Sequence, residues 1–123
     1  MADGDSFTVV HDGIPERIRL FGIDCPEKGQ AYSVAARLFT AERIKDKSVR
    51  IVPVTRDRYG RTIAWVMVEG INLNYELVRS GYAWHYKRYL DDPEFERLEA
   101  EARSRRIGLW ADSAAVPPWV YRN

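Results

Sequence analysis

The sequence predicts an α+β fold, a five-stranded β-barrel of the OB-fold type with three α-helices packed on it. Three observations predict it. Short runs rich in β-forming residues recur along the chain up to Val68. One stretch of helical periodicity, Ala31 to Lys45, interrupts them. Two more helical patterns, each with start and stop signals, occupy the second half.

Ser6 to His11 is rich in β-formers, and Asp12-Gly13 is a hairpin turn signal. Ile14 to Ile23 reads as the return strand, with Ile18, Leu20 and Phe21 as its apolar content. Arg17 and Arg19 are two apart and share one face of it. Pro26 ends that strand. In the first helix, Ala31, Val34, Ala35, Leu38 and Ala41 fall on one stripe. Val49 to Val54 is a strand, and Thr62 to Val68 is its partner, closed by Glu69-Gly70. The polar connection Arg56 to Arg61, with Gly60 in it, joins the two. Asn72 caps a short helix that buries Leu73, Leu77 and Val78 and stops at Gly81. Tyr82 to Leu90 is aromatic and basic. Asp92-Pro93 opens the last helix as N-cap and first-turn proline. Glu94 and Glu96 in its first turn, and Arg103, Arg105 and Arg106 in its last, complement the helix dipole. Phe95, Leu98 and Ala102 form its buried stripe, and Pro117-Pro118-Trp119 reads as an extended tail.

At 123 residues the chain is a single domain, 1–123, large enough for a core. Hydrophobic residues at 46% and charged residues at 30% exclude a disordered chain. The net charge of +1 excludes a polycation, so any surface for nucleic acid is local. Arg56, Arg58 and Arg61 form one basic cluster and Lys87 with Arg88 another; a charge cluster alone is usually a solvated face. The single cysteine, Cys25, excludes an intrachain disulfide. No apolar run approaches membrane-spanning length, and no signal-peptide pattern is visible.

The chemistry lies in three segments: Asp3-Gly4-Asp5-Ser6, Arg19 through Glu27, and Asp57-Arg58-Tyr59-Gly60-Arg61. They carry the carboxylates Asp5, Asp24 and Glu27 and the arginines Arg19 and Arg61. Carboxylates hold a hard, oxygen-liking cation, and arginines clamp phosphate oxygens through a planar fork. That is equipment for stabilising a phosphoryl group in transit. Each residue also has a plainer role: Asp5 and Asp24 as turn-formers, Glu27 as a surface acid, Arg61 as a solvent-facing hairpin residue. Arg19, inside a predicted strand, needs a carboxylate partner on either reading. Arg58 and Tyr59 read as lining a substrate groove. Residues 84–89, including Tyr86 and Lys87, offer stacking faces and phosphate contacts, or simply core aromatics.

In order and spacing these segments resemble the staphylococcal nuclease-like (thermonuclease) family, over Asp3 to Trp110. Asp3-Gly4-Asp5-Ser6 is similar to the family's Asp-Gly-Asp-Thr start, Arg19 to Glu27 to its arginine strand and Asp-x-Pro-Glu turn, and Asp57 to Arg61 to its Asp-Lys-Tyr-Gly-Arg loop. The resemblance implies an OB-fold barrel with three helices and Ca²⁺-dependent hydrolysis of DNA and RNA to products with 3′ phosphates. It implies Asp5, Asp24 and the Cys25 backbone carbonyl as Ca²⁺ ligands, Glu27 as general base, and Arg19 and Arg61 as phosphate clamps. Two carboxylates are few for a cation taking about six to eight oxygens, so metal binding is expected to be weak until substrate arrives.

Other readings are an OB-fold module that binds nucleic acid or protein without cutting, and a cysteine hydrolase using Cys25 with His11 or His85. The intact set of Asp5, Arg19, Asp24, Glu27 and Arg61 favours the nuclease, since a pure binder has no use for it. The family has strand sequence before its Asp-Gly-Asp, whereas Met1-Ala2 precede it here. A monomer is expected; a truncated first strand would leave an open sheet edge, which makes self-association through that edge the alternative. The expected substrates are single-stranded or locally melted DNA and RNA, and the expected location is secreted or periplasmic, with the cytoplasm as the alternative.

Overall fold

Asp12 and Gly13 both take left-handed backbone, φ 51° and 76°. That turns β1 (Ser6–His11) directly back into β2 (Ile14–Leu20), the tight hairpin that Asp-Gly favours. The structure, a computed structural model, describes residues 3–122. The remaining elements are β3 (Ile23–Asp24), α1 (Ser33–Ile44), β4 (Val49–Arg56), β5 (Thr62–Val68), β6 (Ile71–Asn72), α2 (Leu73–Arg79), β7 (Trp84–His85), α3 (Pro93–Arg105), a 3₁₀ turn at Gly108–Ala111, and α4 (Pro118–Tyr121).

The fold is α+β as expected, with a five-stranded mixed sheet in the order β1-β2-β5-β4 and β6 on β5. Strand β2 runs parallel to β5, pairing Arg19 with Ile63, while β4 and β5 form the second hairpin. Among the described residues β1 and β4 are not paired with each other, so the ladder stays open rather than closing into a ring. Outer strand β4 carries Pro53 and a register shift between Pro53 and Thr55, irregularities typical of an edge.

The expected return strand is split in two. Gly22 takes φ 80°, and its Cα lies where a Cβ would meet the Phe95 ring at 2.7 Å, so the chain kinks there. β3 then pairs with β7 in a second, two-stranded sheet. Buried Asn74 fastens this corner: Val66 N donates to its Oδ1 at 3.0 Å, and its Nδ2 donates to Phe21 O at 3.1 Å. A buried amide satisfied on both sides fixes the end of β2 against β5.

Helices α2 and α3 bury Leu73, Leu77 and Val78, and Phe95, Leu98 and Ala102, as their periodicity predicts. Asn72 and Asp92 cap them by accepting from Tyr75 N and Glu94 N. Phe95 stacks on Trp65 at 5.6 Å between ring centres, joining helix and sheet in one core.

Two expectations fail. The buried face of α1 is Ala36 and Thr40, not the predicted stripe, and Val34 and Leu38 are both exposed. The reason is the backbone of Gly4, which lies on Ala36 and accepts a hydrogen bond from Thr40 Oγ1 at 2.6 Å. The tail is not extended: Pro118 sits in the first turn of α4, where a fixed φ suits a helix start.

Candidate active site

Arg19, near the end of β2 and paired with Ile63 of β5, lies beside Asp24 of β3. Its Nη1 lies 3.5 Å from Asp5 Oδ2 and its Nη2 3.4 Å from Asp24 Oδ1, while Nη1 also donates to Leu20 O at 2.8 Å. Asp5 is placed by Leu20 N, which donates to its backbone oxygen at 2.8 Å, and by Cys25 N, which donates to its Oδ2 at 2.7 Å. Asp24 is held by pairing with Trp84 of β7. Asp5, Arg19 and Asp24 are 4%, 9% and 1% exposed, so two acids and their shared cation are packed away from water.

Burial dominates the electrostatics. It pushes the Asp24 carboxyl up to about 6, with Asp5 adding repulsion, against the lowering pull of hydrogen bonds from Arg122 and the charge of Arg19. Burial disfavours the Arg19 charge too, but Asp5 and then Asp24 outweigh it and hold its pKa above the ordinary value. Asp3, at the rim, is raised by burial and by Asp5 and Glu27.

Pro26 delivers Glu27 to the same cleft, and Glu27 N donates to Gln30 Oε1 at 2.9 Å. The β4–β5 hairpin delivers Arg61. Its turn closes through Gly60 at φ 81°, and Asp57 accepts from Tyr59 N and Arg61 N, both at 2.9 Å. Arg58 Nη2 donates to the Tyr59 hydroxyl at 2.9 Å. Asp5, Arg19, Asp24, Glu27 and Arg61 face one cleft of about 840 Å³, walled on the aromatic side by Tyr59, Tyr86 and Tyr89.

Of the residues singled out from sequence, the structure therefore brings together Asp5, Arg19, Asp24, Glu27, Arg58, Tyr59, Arg61 and Tyr86. It does not bring Lys87. That side chain sits in the turn after β7, lines a neighbouring hollow of about 640 Å³ and lies 3.7 Å from Glu96 of α3, which draws it away from the cleft. The Cys25 thiol is not a nucleophile: it is 1% exposed, and burial, reinforced by Asp5, pushes its pKa well above the ordinary value. His85 Nε2 instead faces Leu90 O at 2.7 Å.

Sequence reasoning misses Arg122. Its Nη1 and Nη2 donate to Asp24 Oδ1 at 3.2 Å and Oδ2 at 2.7 Å, and Nη1 also donates to Glu27 Oε1. No sequence signal marks it, because its partners are 98 and 95 residues away. Tyr89 and Asp3 also line the cleft; for Asp3 the Asp-Gly-Asp motif is a usable signal.

The donor set suits a hard cation. Two buried carboxylates converge closely enough to share the Arg19 guanidinium, and both offer oxygen only. Among the described residues no three His, Cys, Asp or Glu side chains form a ligand cluster, so further oxygens must come from backbone, water or substrate. No helix among them is long and apolar enough to cross a membrane.

The profile of the family described as staphylococcal nuclease homologue matches residues 17–112. An uncharacterized endonuclease of Escherichia coli O157:H7 is 40% identical over 98% of this chain and 80% of its own length. Protein ParB of Escherichia coli is 42% identical over 98% of this chain and 75% of its own length. A micrococcal nuclease of Shigella flexneri is 36% identical over 98% of this chain and 76% of its own length.

Proposed function

The chain belongs to the staphylococcal nuclease homologue family, and on that premise we propose that it is a Ca²⁺-dependent endonuclease hydrolysing the phosphodiester bonds of DNA and RNA. The observation that carries this reading is the convergence of Asp5, Arg19, Asp24, Glu27 and Arg61 on one cleft.

Asp5, Asp24 and the Cys25 backbone carbonyl would hold the cation, which when bound supplies positive charge next to the scissile phosphate. Arg19 is held by its two acids with its fork at the cleft, and Arg61 is held by Asp57 from the opposite wall. Between them they clamp the phosphate oxygens and favour the more charged transition state. Glu27 takes a proton from a water as that water's oxygen bonds to phosphorus. The P–O5′ bond breaks in line, the 5′ oxygen takes a proton from solvent, and the phosphate stays on the 3′ side. Tyr59, Tyr86 and Tyr89 offer ring faces for bases, which favours single-stranded or locally melted substrate without sequence preference. A nuclease so indifferent to sequence, with weak metal affinity, suits a Ca²⁺-rich secreted or periplasmic setting.

The test is hydrolysis of single-stranded DNA with Ca²⁺, with Mg²⁺ and with chelator, beside Glu27→Gln. Cleavage that needs Ca²⁺ and falls about 10²–10⁴-fold in the variant supports the reading. DNA binding without cleavage under every condition overturns it in favour of a binding module.

A further inference from the structure

Asp5 and Asp24, 4% and 1% exposed, share a single buried cation, Arg19, so this buried trio carries one uncompensated negative charge. An unbalanced buried carboxylate is costly, so something must supply positive charge when no metal is bound. Arg122 supplies it. It takes both oxygens of Asp24 and one of Glu27, so it stands on the residues assigned to the cation and to the attacking water.

The segment carrying Arg122 is docked at four further points. Gln30 Nε2 donates to Val116 O at 2.7 Å, while the same amide accepts from Glu27 N. The Tyr121 phenol lies over Gly29, where a Cβ would fall 2.9 Å from its hydroxyl. Trp119 stacks on Tyr86 with ring centres 4.9 Å apart and planes 8° from parallel, and meets Trp84 edge-on at 5.5 Å. Tyr86 is one of the rings offered to a nucleobase, and Trp119 already covers one of its faces.

We propose that residues 116–122 form an internal competitor for the active site, with Arg122 in place of the divalent cation and Trp119 in place of a base. Cation and nucleic acid then bind only as the segment lifts, which lowers the affinity for each. Arg122 is thus a residue governing cation access rather than a catalytic one. The inference rests on the assignment of Asp5 and Asp24 to the cation.

The experiment measures Ca²⁺ binding without nucleic acid, by calorimetric titration, on the wild-type chain, Arg122→Ala and Tyr121→Ala. The second variant loosens the docked segment without touching the carboxylates. Each is checked for fold by circular dichroism, and tryptophan emission is followed during titration because Trp119 leaves Tyr86 on release. Arg122→Ala is expected to bind Ca²⁺ about tenfold tighter, since a charge-assisted fork on Asp24 no longer competes, and Tyr121→Ala to shift the same way by less. The Ca²⁺-induced rise in Tm grows accordingly. Equal affinity in all three proteins overturns the competitor and leaves the metal assignment standing. Absence of Ca²⁺ binding in all three overturns the metal assignment and the competitor together.

Discussion

Asp57 holds Arg61 twice, accepting from its backbone N–H at 2.9 Å on Oδ1 and from its Nε at 2.7 Å on Oδ2. The second bond uses the inner edge of the guanidinium and leaves the Nη donors for a phosphate. Asp57 is therefore a positioning residue. Asp57→Ala is expected to lower kcat about tenfold by letting the fork swing, and Asp57→Asn, which keeps one acceptor for the Arg61 backbone, to lose less. Steady-state kinetics on a short oligonucleotide checks this. Equal kcat in wild type and Asp57→Ala would show that Arg61 needs no holder.

The same carboxylate sets a pH dependence. Partial burial works to raise the Asp57 pKa, but hydrogen bonds from the Arg61 backbone and side chain and from Tyr59 outweigh it and hold the pKa below 3.8. The folded value is lower than the unfolded one, so the stabilisation is present above about pH 4 and lost as pH falls through the folded pKa. The Tm gap between wild type and Asp57→Asn should be constant from about pH 7 to 5 and shrink below about pH 4. A gap that widens in acid would reverse the sign and reject the account.

Gly4 couples α1 to the Asp3 and Asp5 carboxylates. A Cβ there would lie 2.9 Å from the Ala36 backbone and side chain, so Gly4→Ala must push α1 away or drag Asp3 and Asp5 with it. The expected cost is about 1–3 kcal/mol in a urea titration. Asp5 must also lose its fit to Cys25 N, so hydrolysis should fall more than stability alone explains. A stable variant with full activity would mean that α1 yields without disturbing the site.

Legibility in the sequence tracked how local the determining contact is. The stripes of α2 and α3 are bounded by caps at Asn72 and Asp92, and every apolar residue the periodicity names is buried, with Asn74 of α2 buried beside them. The face of α1 is not legible, because its partner is the bare backbone of Gly4, which selects small Ala36 over larger Val34 and Leu38. Asp5, Arg19, Asp24, Glu27 and Arg61 sit in short motifs whose turn residues carry their own geometry. Arg122 carries no motif: it reaches Asp24 only because residues 116–122 fold back over Gly29 and Gln30. Lys87 fails for a related reason: it lies in the turn after β7, where no strand or helix period sets the direction of a side chain, and it meets Glu96 of α3.

Arg19→Lys and Arg61→Lys should lose activity alike and stability unequally. Either change keeps the charge and removes the two-pronged fork, so each is expected to lower kcat by at least about two decades. Arg61 is a half-buried hairpin residue whose main partner is Asp57, so its loss should cost about 1 kcal/mol or less. Arg19 is 9% exposed and spans Asp5, Asp24 and Leu20 O, a set that one ammonium cannot reach together. Arg19→Lys should therefore cost about 2–4 kcal/mol, because part of a buried carboxylate pair is left uncompensated. Denaturant unfolding beside single-turnover cleavage separates the two effects. A kcat within threefold of wild type for both variants would remove the clamp assignment, and equal stability losses would mean that Arg19 is not what holds the two acids together.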